Sequence, residues 1–198
     1  METKEWSNPT PAGLVALAVA CFCFFALLTG KVEASAMPLL GCFLIGGFVI
    51  QFTVALVDLK QGNSSGGNTF LFFSAYFMLV SGIEMFLKYY GGGLLDSRID
   101  GWAWMVLALV IILWTPAFYK GSALLFIIVL LLDIAVPCIV IADLKIFEPE
   151  ITSIFSNVAG WLLLGCGIIG IYLSAALLVN GVYGREIFKN PKPLYKGK

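Results

Sequence analysis

Six long apolar stretches make up most of this 198-residue chain, and only two acidic side chains, Glu84 and Asp133, sit well inside them. A helix rises about 1.5 Å per residue, so about 20 apolar residues cross a hydrocarbon layer of about 30 Å. The runs predict spans over roughly 12–29, 36–58, 69–88, 102–119, 121–142 and 157–182. The longest connection, about 14 residues between spans five and six, is too short for a soluble domain. The expectation is an all-α integral membrane protein: one domain over 1–198, six transmembrane helices in one compact bundle, with a basic tail over 184–198.

Composition narrows the chemistry. Hydrophobic residues make up 60% of the chain, and 12 basic residues balance 12 acidic ones, so no nucleic-acid partner is implied. Mean hydropathy is +0.96. Histidine, the commonest general base and metal ligand, does not occur. Cys21, Cys23, Cys42, Cys138 and Cys166 all fall in the spans, where they read as small hydrophobes rather than a disulfide framework or thiolate metal site. No metal or cofactor is expected. The first span resembles a signal peptide in length, but Glu2 and Glu5 flank Lys4 and no small-x-small cleavage site follows, so it is expected to be retained. With six spans, Lys4, Lys60, Lys120, Arg185, Lys189, Lys192, Lys196 and Lys198 share one side, against Lys31, Lys88, Arg98 and Lys145. That bias predicts both termini in the cytoplasm and a cell-membrane location.

Several positions stand out along the spans. Asn8-Pro9-Thr10-Pro11 reads as a helix start, with Asn8 as a cap or as part of an anion-attracting helix end at a pore mouth. Gly47, Gln51, Val54 and Asp58 share one helical face, and Gln51 suits an interhelical hydrogen bond or a pore lining. The segment 61–68 reads as a flexible polar linker. Phe70, Phe73, Phe77 and Glu84 form a stripe, with Glu84 one turn from Lys88 and able to pair with it. Asp133 lies mid-span, and Pro137 has no amide hydrogen for its carbonyl, so a kink and a free acceptor are expected. An ionised Asp there costs roughly 2.5–3.5 kcal/mol or more, so it should be paired, hydrated or protonated. Gly160, Gly167, Gly170, Ser174 and Gly181 suggest a helix-packing seam. Trp102, Trp104 and Trp114 read as interfacial anchors.

Four sets of residues stand in a consistent order and spacing: Asn8-Pro9-Thr10-Pro11-Ala12-Gly13-Leu14; Gln51 with Asp58-Leu59-Lys60-Gln61-Gly62-Asn63; Phe70, Phe73, Tyr76 and Phe77; and Ala159-Gly160-Trp161, Cys166-Gly167, Ile171-Tyr172-Leu173, Asn180 and Gly184-Arg185. Together they resemble the acetate uptake transporters, that is, the bacterial succinate–acetate permeases and their fungal and archaeal relatives. The resemblance implies a homohexamer in membrane lipid, with a separate path through each protomer, carrying small monocarboxylates, acetate first and succinate in some members, by proton-linked or channel-like transport. It also implies an apolar constriction of Leu17, Phe73 and Leu132, where the family has Phe, Tyr and Leu. Leu177 stands where the family has an acidic residue, and Asp133 where it commonly has a hydroxyl.

The leading expectation is therefore a transporter, not an enzyme, whose substrate meets Asn8, Gln51, Phe70, Phe77 and Asn180 and crosses Leu17, Phe73 and Leu132. Asp133 and Glu84 are the proton-linked candidates. A channel for small neutral solutes such as urea, amides or ammonia is the alternative. An intramembrane enzyme would need Glu84 and Asp133 within reach of each other or of a shared water.

Overall fold

A computed structural model describes residues 6–195, so Glu2, Lys4, Glu5, Lys196 and Lys198 fall outside the described residues. Six helices are long and apolar enough to cross a membrane. They are α1 (Thr10–Leu28), α2 (Met37–Lys60), α3 (Ser64–Tyr90), α4 (Arg98–Trp114, continued by a 3₁₀ turn, Thr115–Lys120), α5 (Ala123–Leu144) and α6 (Pro149–Tyr183). Among the described residues no strand occurs.

Two helix starts depart from the apolar runs. Ser64–Asn68 is the first part of α3 rather than a flexible linker: Asn63 Oδ1 accepts from the Gly66 amide at 3.1 Å, capping the helix. Gly67 lies so close to α2 that a Cβ there would stand 2.6 Å from Leu59. Tertiary contact with α2 overrides the weak helix propensity of two serines and two glycines. Likewise α6 begins at Pro149, eight residues before its apolar run, because polar residues shorten a membrane span but do not break a helix. The link from α5 to α6 is thereby four residues, Lys145 to Glu148, with Lys145 left-handed at φ 53°.

Apolar side chains gain nothing in water removal when they leave lipid for protein, so close packing must hold such a bundle. The tightest seam joins α1 to α6. A Cβ on Gly160 would meet Thr29 at 2.8 Å, and one on Gly167 would meet the Phe22 ring at 2.7 Å. Ser174 Oγ donates to the Pro11 carbonyl at 2.9 Å across the same seam. Gly181, also expected there, is exposed with nothing near it. Outward faces are apolar: Leu113 on α4 is 76% exposed, as a lipid-facing residue would be. Trp102 and Trp114 face outward as anchors would, but Trp104 is buried edge-on against Phe77 and belongs to the core.

Within α3, residues Phe73–Val80 wind as a π-helix, and the Ser81 amide reaches back five residues to the Tyr76 carbonyl. Ser81 Oγ bonds the same carbonyl at 3.1 Å. A single α-helical wheel therefore does not describe the stripe from Phe70 to Glu84. Phe73 and Phe77 are buried, whereas Tyr76 points outward.

Candidate functional site

The bundle has a polar mouth at each end. The near mouth, on the side of the described chain ends, is a cavity of about 390 Å³ whose wall includes Asn8, Asp58, Phe70, Phe118, Lys120 and Leu177. Asp58 ends the buried face of α2, where Gly47, Gln51 and Val54 are buried with it. It is only 1% exposed, and its Oδ2 meets no hydrogen-bond donor. Asn8 is exposed and caps α1, with Oδ1 accepting from the Thr10 amide at 3.0 Å.

The far mouth is a cavity of about 580 Å³ lined by Glu84, Lys88, Asp96, Asp100 and Lys145 among others. Lys88 organises it. Its Nζ lies 2.5 Å from Asp100 Oδ2 and 3.6 Å from Glu84 Oε2, and Asp143 is near enough to feel its charge. Glu84 thus pairs with Lys88 at i,i+4 as its spacing suggests, but Asp100 on α4 holds the ammonium more closely. At the rim, the Arg98 guanidinium grips Asp96 with two bonds of 2.9 and 2.7 Å, which holds that exposed carboxyl down at about 2.

Between the mouths lies one buried apolar cluster that contains Leu17, Phe73, Leu132 and Phe77. Phe77 stacks on Phe24 at 5.3 Å and meets Phe73 edge-on at 5.7 Å. Leu17, Phe73 and Leu132 stand seven, nine and nine residues into α1, α3 and α5. At about 1.5 Å per residue their depths below the near mouth agree within one turn. With the spans begun at 12, 69 and 121 the same residues fall at unequal depths; the observed starts at Thr10, Ser64 and Ala123 remove the mismatch only together.

Gln51 is buried beside this cluster. Its Nε2 donates weakly to the Gly13 carbonyl of α1 at 3.4 Å, and its Oε1 is buried without a partner. Phe70 lies against Gly13, whose Cβ would meet the ring at 2.7 Å, and reaches into the near mouth. Asn180 is engaged by the tail. Its Oδ1 accepts from the Ile187 and Phe188 amides at 2.7 and 3.0 Å, and its Nδ2 donates to the Phe188 carbonyl at 2.8 Å. A carboxamide so committed clamps the tail, which a sequence distance of seven or eight residues across a turn conceals.

The tail itself returns over the near mouth. Ser122 Oγ bonds Asn190 Oδ1 at 2.6 Å, and the Tyr195 amide donates to the Tyr119 carbonyl at 3.1 Å. Asp133 is half-buried and bonds the end of α4. Its Oδ2 lies 2.7 Å from Thr115 Oγ1, while Oδ1 is buried without a donor. Glu84 and Asp133 thus have separate partners, Lys88 for the one and Thr115 for the other.

This arrangement of helices has a solved counterpart. The fold is that of the bacterial acetate channel SatP. The TM-score is 0.80, the alignment covers 93% of this chain and 99% of SatP, and the sequence identity is 20%. The likeness to SatP is one of backbone architecture, in a multi-pass helical membrane protein. No protein-family model matches the chain, and no curated protein matches it.

Proposed function

We propose that this protein conducts small monocarboxylates, acetate foremost, through each protomer of a hexamer in the cell membrane, with both termini cytoplasmic. The observation that carries the reading is the shared fold with an acetate channel over nearly the whole length of both chains. The route runs from the near mouth, past Phe70 and Gln51, between Leu17, Phe73 and Leu132, beside Phe77, to the far mouth. Asn8 acts at the start of the route by ordering α1. The apolar stretch disfavours a hydrated anion, so passage requires loss of water together with dilation or a proton. Asp133 is the proton-linked group on this reading, and Glu84 is assigned to the Lys88 ion-pair network. Succinate is a second substrate to be tested.

Labelled acetate uptake into proteoliposomes, competed by propionate, succinate and urea, tests the proposal. Competition by propionate but not urea is the expected result; uptake of urea with no acetate flux overturns it. One observation favours the neutral-solute reading: Glu84, Asp96, Asp100 and Asp143 outnumber Lys88, Arg98 and Lys145 around the far mouth, an excess of negative charge that repels a bare carboxylate. Flux indifferent to membrane potential and to external pH would select that alternative.

A further inference from the structure

Thr115 Oγ1 stands 2.7 Å from Asp133 Oδ2 and 2.9 Å from the Ile111 carbonyl. A hydroxyl has one proton, and a carbonyl can only accept. If Asp133 is ionised, Thr115 can satisfy only one of these two acceptors. If Asp133 is protonated, its own O–H donates to Thr115 Oγ1, Thr115 donates to Ile111, and both short distances are hydrogen bonds at once. The neutral acid is also the form in which the partnerless Oδ1 is least costly inside a membrane.

No charged neighbour offers another account. Residues 101–114 of α4 and 152–183 of α6 contain no Asp, Glu, Lys or Arg. The titratable groups on the elements packed against α5 are Arg98 and Asp100 on α4, Glu150, Cys166, Tyr172 and Tyr183 on α6, and Tyr119 and Lys120 on the 3₁₀ turn; Cys138 and Asp143 share α5 itself. Arg98 and Asp100 open α4 at the far mouth, engaged with Asp96 and Lys88, and Glu150 is exposed in the first turn of α6. Cys166 is directed to the Ile128 carbonyl, Tyr172 to the Lys189 carbonyl, Tyr119 to the Phe126 ring and Lys120 to the Tyr195 ring. Asp143 lies ten residues further along α5, at the far mouth beside Lys88.

We propose that Thr115 is a positioning residue for a proton held on Asp133: it accepts the acid O–H in the resting state and turns its own O–H onto the carboxylate when that proton leaves to water. The inference rests on the reading of Asp133 as the proton-linked group. Thr115 opens the 3₁₀ turn whose Ala117, Phe118 and Lys120 line the near mouth, so each change of its partner is felt in that wall.

The test is the pH profile of acetate uptake in proteoliposomes for wild type, Thr115→Val, Thr115→Ser and Asp133→Asn. A bond to a charged acceptor is stronger than one to a neutral partner, so losing the hydroxyl disfavours ionisation. Thr115→Val is expected to move the midpoint up by on the order of one pH unit, with Thr115→Ser at the wild-type value. An unmoved midpoint in Thr115→Val, with a flattened profile in Asp133→Asn, overturns the role of Thr115 alone. A wild-type profile in Asp133→Asn overturns the proton reading beneath it. Infrared difference spectra of wild type against Asp133→Asn give a readout without transport. A protonated-carboxyl band at neutral pH, lost in Asp133→Asn, supports the proposal and its absence overturns it, even if Thr115→Val does not fold.

Discussion

The two mouths are built from different forces. At the near mouth three asparagines are tied by hydrogen bonds to backbone: Asn8 to Thr10, Asn63 to Gly66, Asn180 to the returning tail. At the far mouth they are tied by charge, with Lys88 between Glu84 and Asp100 and Arg98 on Asp96. A mouth bonded to backbone keeps its shape over a wide range of salt and pH. A mouth held by ion pairs, with Asp100 buried, depends on every partner staying charged.

The sharpest way to break this picture is to ask whether the mouths communicate at all. Phe73→Ala removes the largest side chain of the proposed constriction and is expected to raise acetate flux by about tenfold, equivalent to about 1.4 kcal/mol of barrier. Unchanged flux in a folded variant would leave two dead-end cavities. Next is Lys88→Ala, which strands the buried Asp100 beside Glu84. It should cost about 3 kcal/mol in detergent melting experiments, with much of the loss recovered in Lys88→Ala/Asp100→Ala. Equal melting of wild type and the single variant would show that charge does not hold the far mouth.

At the near mouth, Asn180→Ala removes three bonds from a partly exposed clamp. The expected loss is about 1 kcal/mol, confined to the tail, and faster tryptic cleavage at Arg185 and Lys189 with little change in global melting reports it. The smallest effect belongs to Asp96. Its carboxyl is held at about 2, chiefly by the Arg98 side-chain bonds, below an ordinary value near 3.9. A lowered pKa means that its contribution is present above about pH 4 and lost as pH falls toward 2. Asp96→Asn should therefore leave melting between pH 7 and 5 within the small range of exposed pairs.

What could be read from the residues alone follows the same division. The six spans were legible because a membrane demands about 20 apolar residues per crossing, and no tertiary accident changes that demand. The buried face of Gly47, Gln51, Val54 and Asp58 was legible from its period. The starts of α3 and α6 were not: residues 64–68 are helical through the Asn63 cap and contact with α2, and residues 149–156 are a polar, largely exposed extension of the helix, while hydropathy records only polarity. Partners distant in sequence were also hidden. Lys88 visibly faces Glu84 one turn away, yet its closer contact is Asp100 on the next helix. Asp133 was conspicuous, but Thr115 lies 18 residues away and looks like an ordinary helix end. Asn180 was conspicuous as a polar side chain in a membrane span, but its bonds to the returning tail were not visible.

The π-wound stretch from Phe73 to Val80 has a consequence for how α3 tolerates shortening. A loop closed at five residues instead of four holds one surplus amino acid. Deleting Leu79 lets that surplus vanish into ordinary winding, leaving both flanks in step and Lys88 still opposite Asp100. The same excision a little later, at Ile83, has no slack to absorb it, and swings the rest of the span around its axis by about 100°.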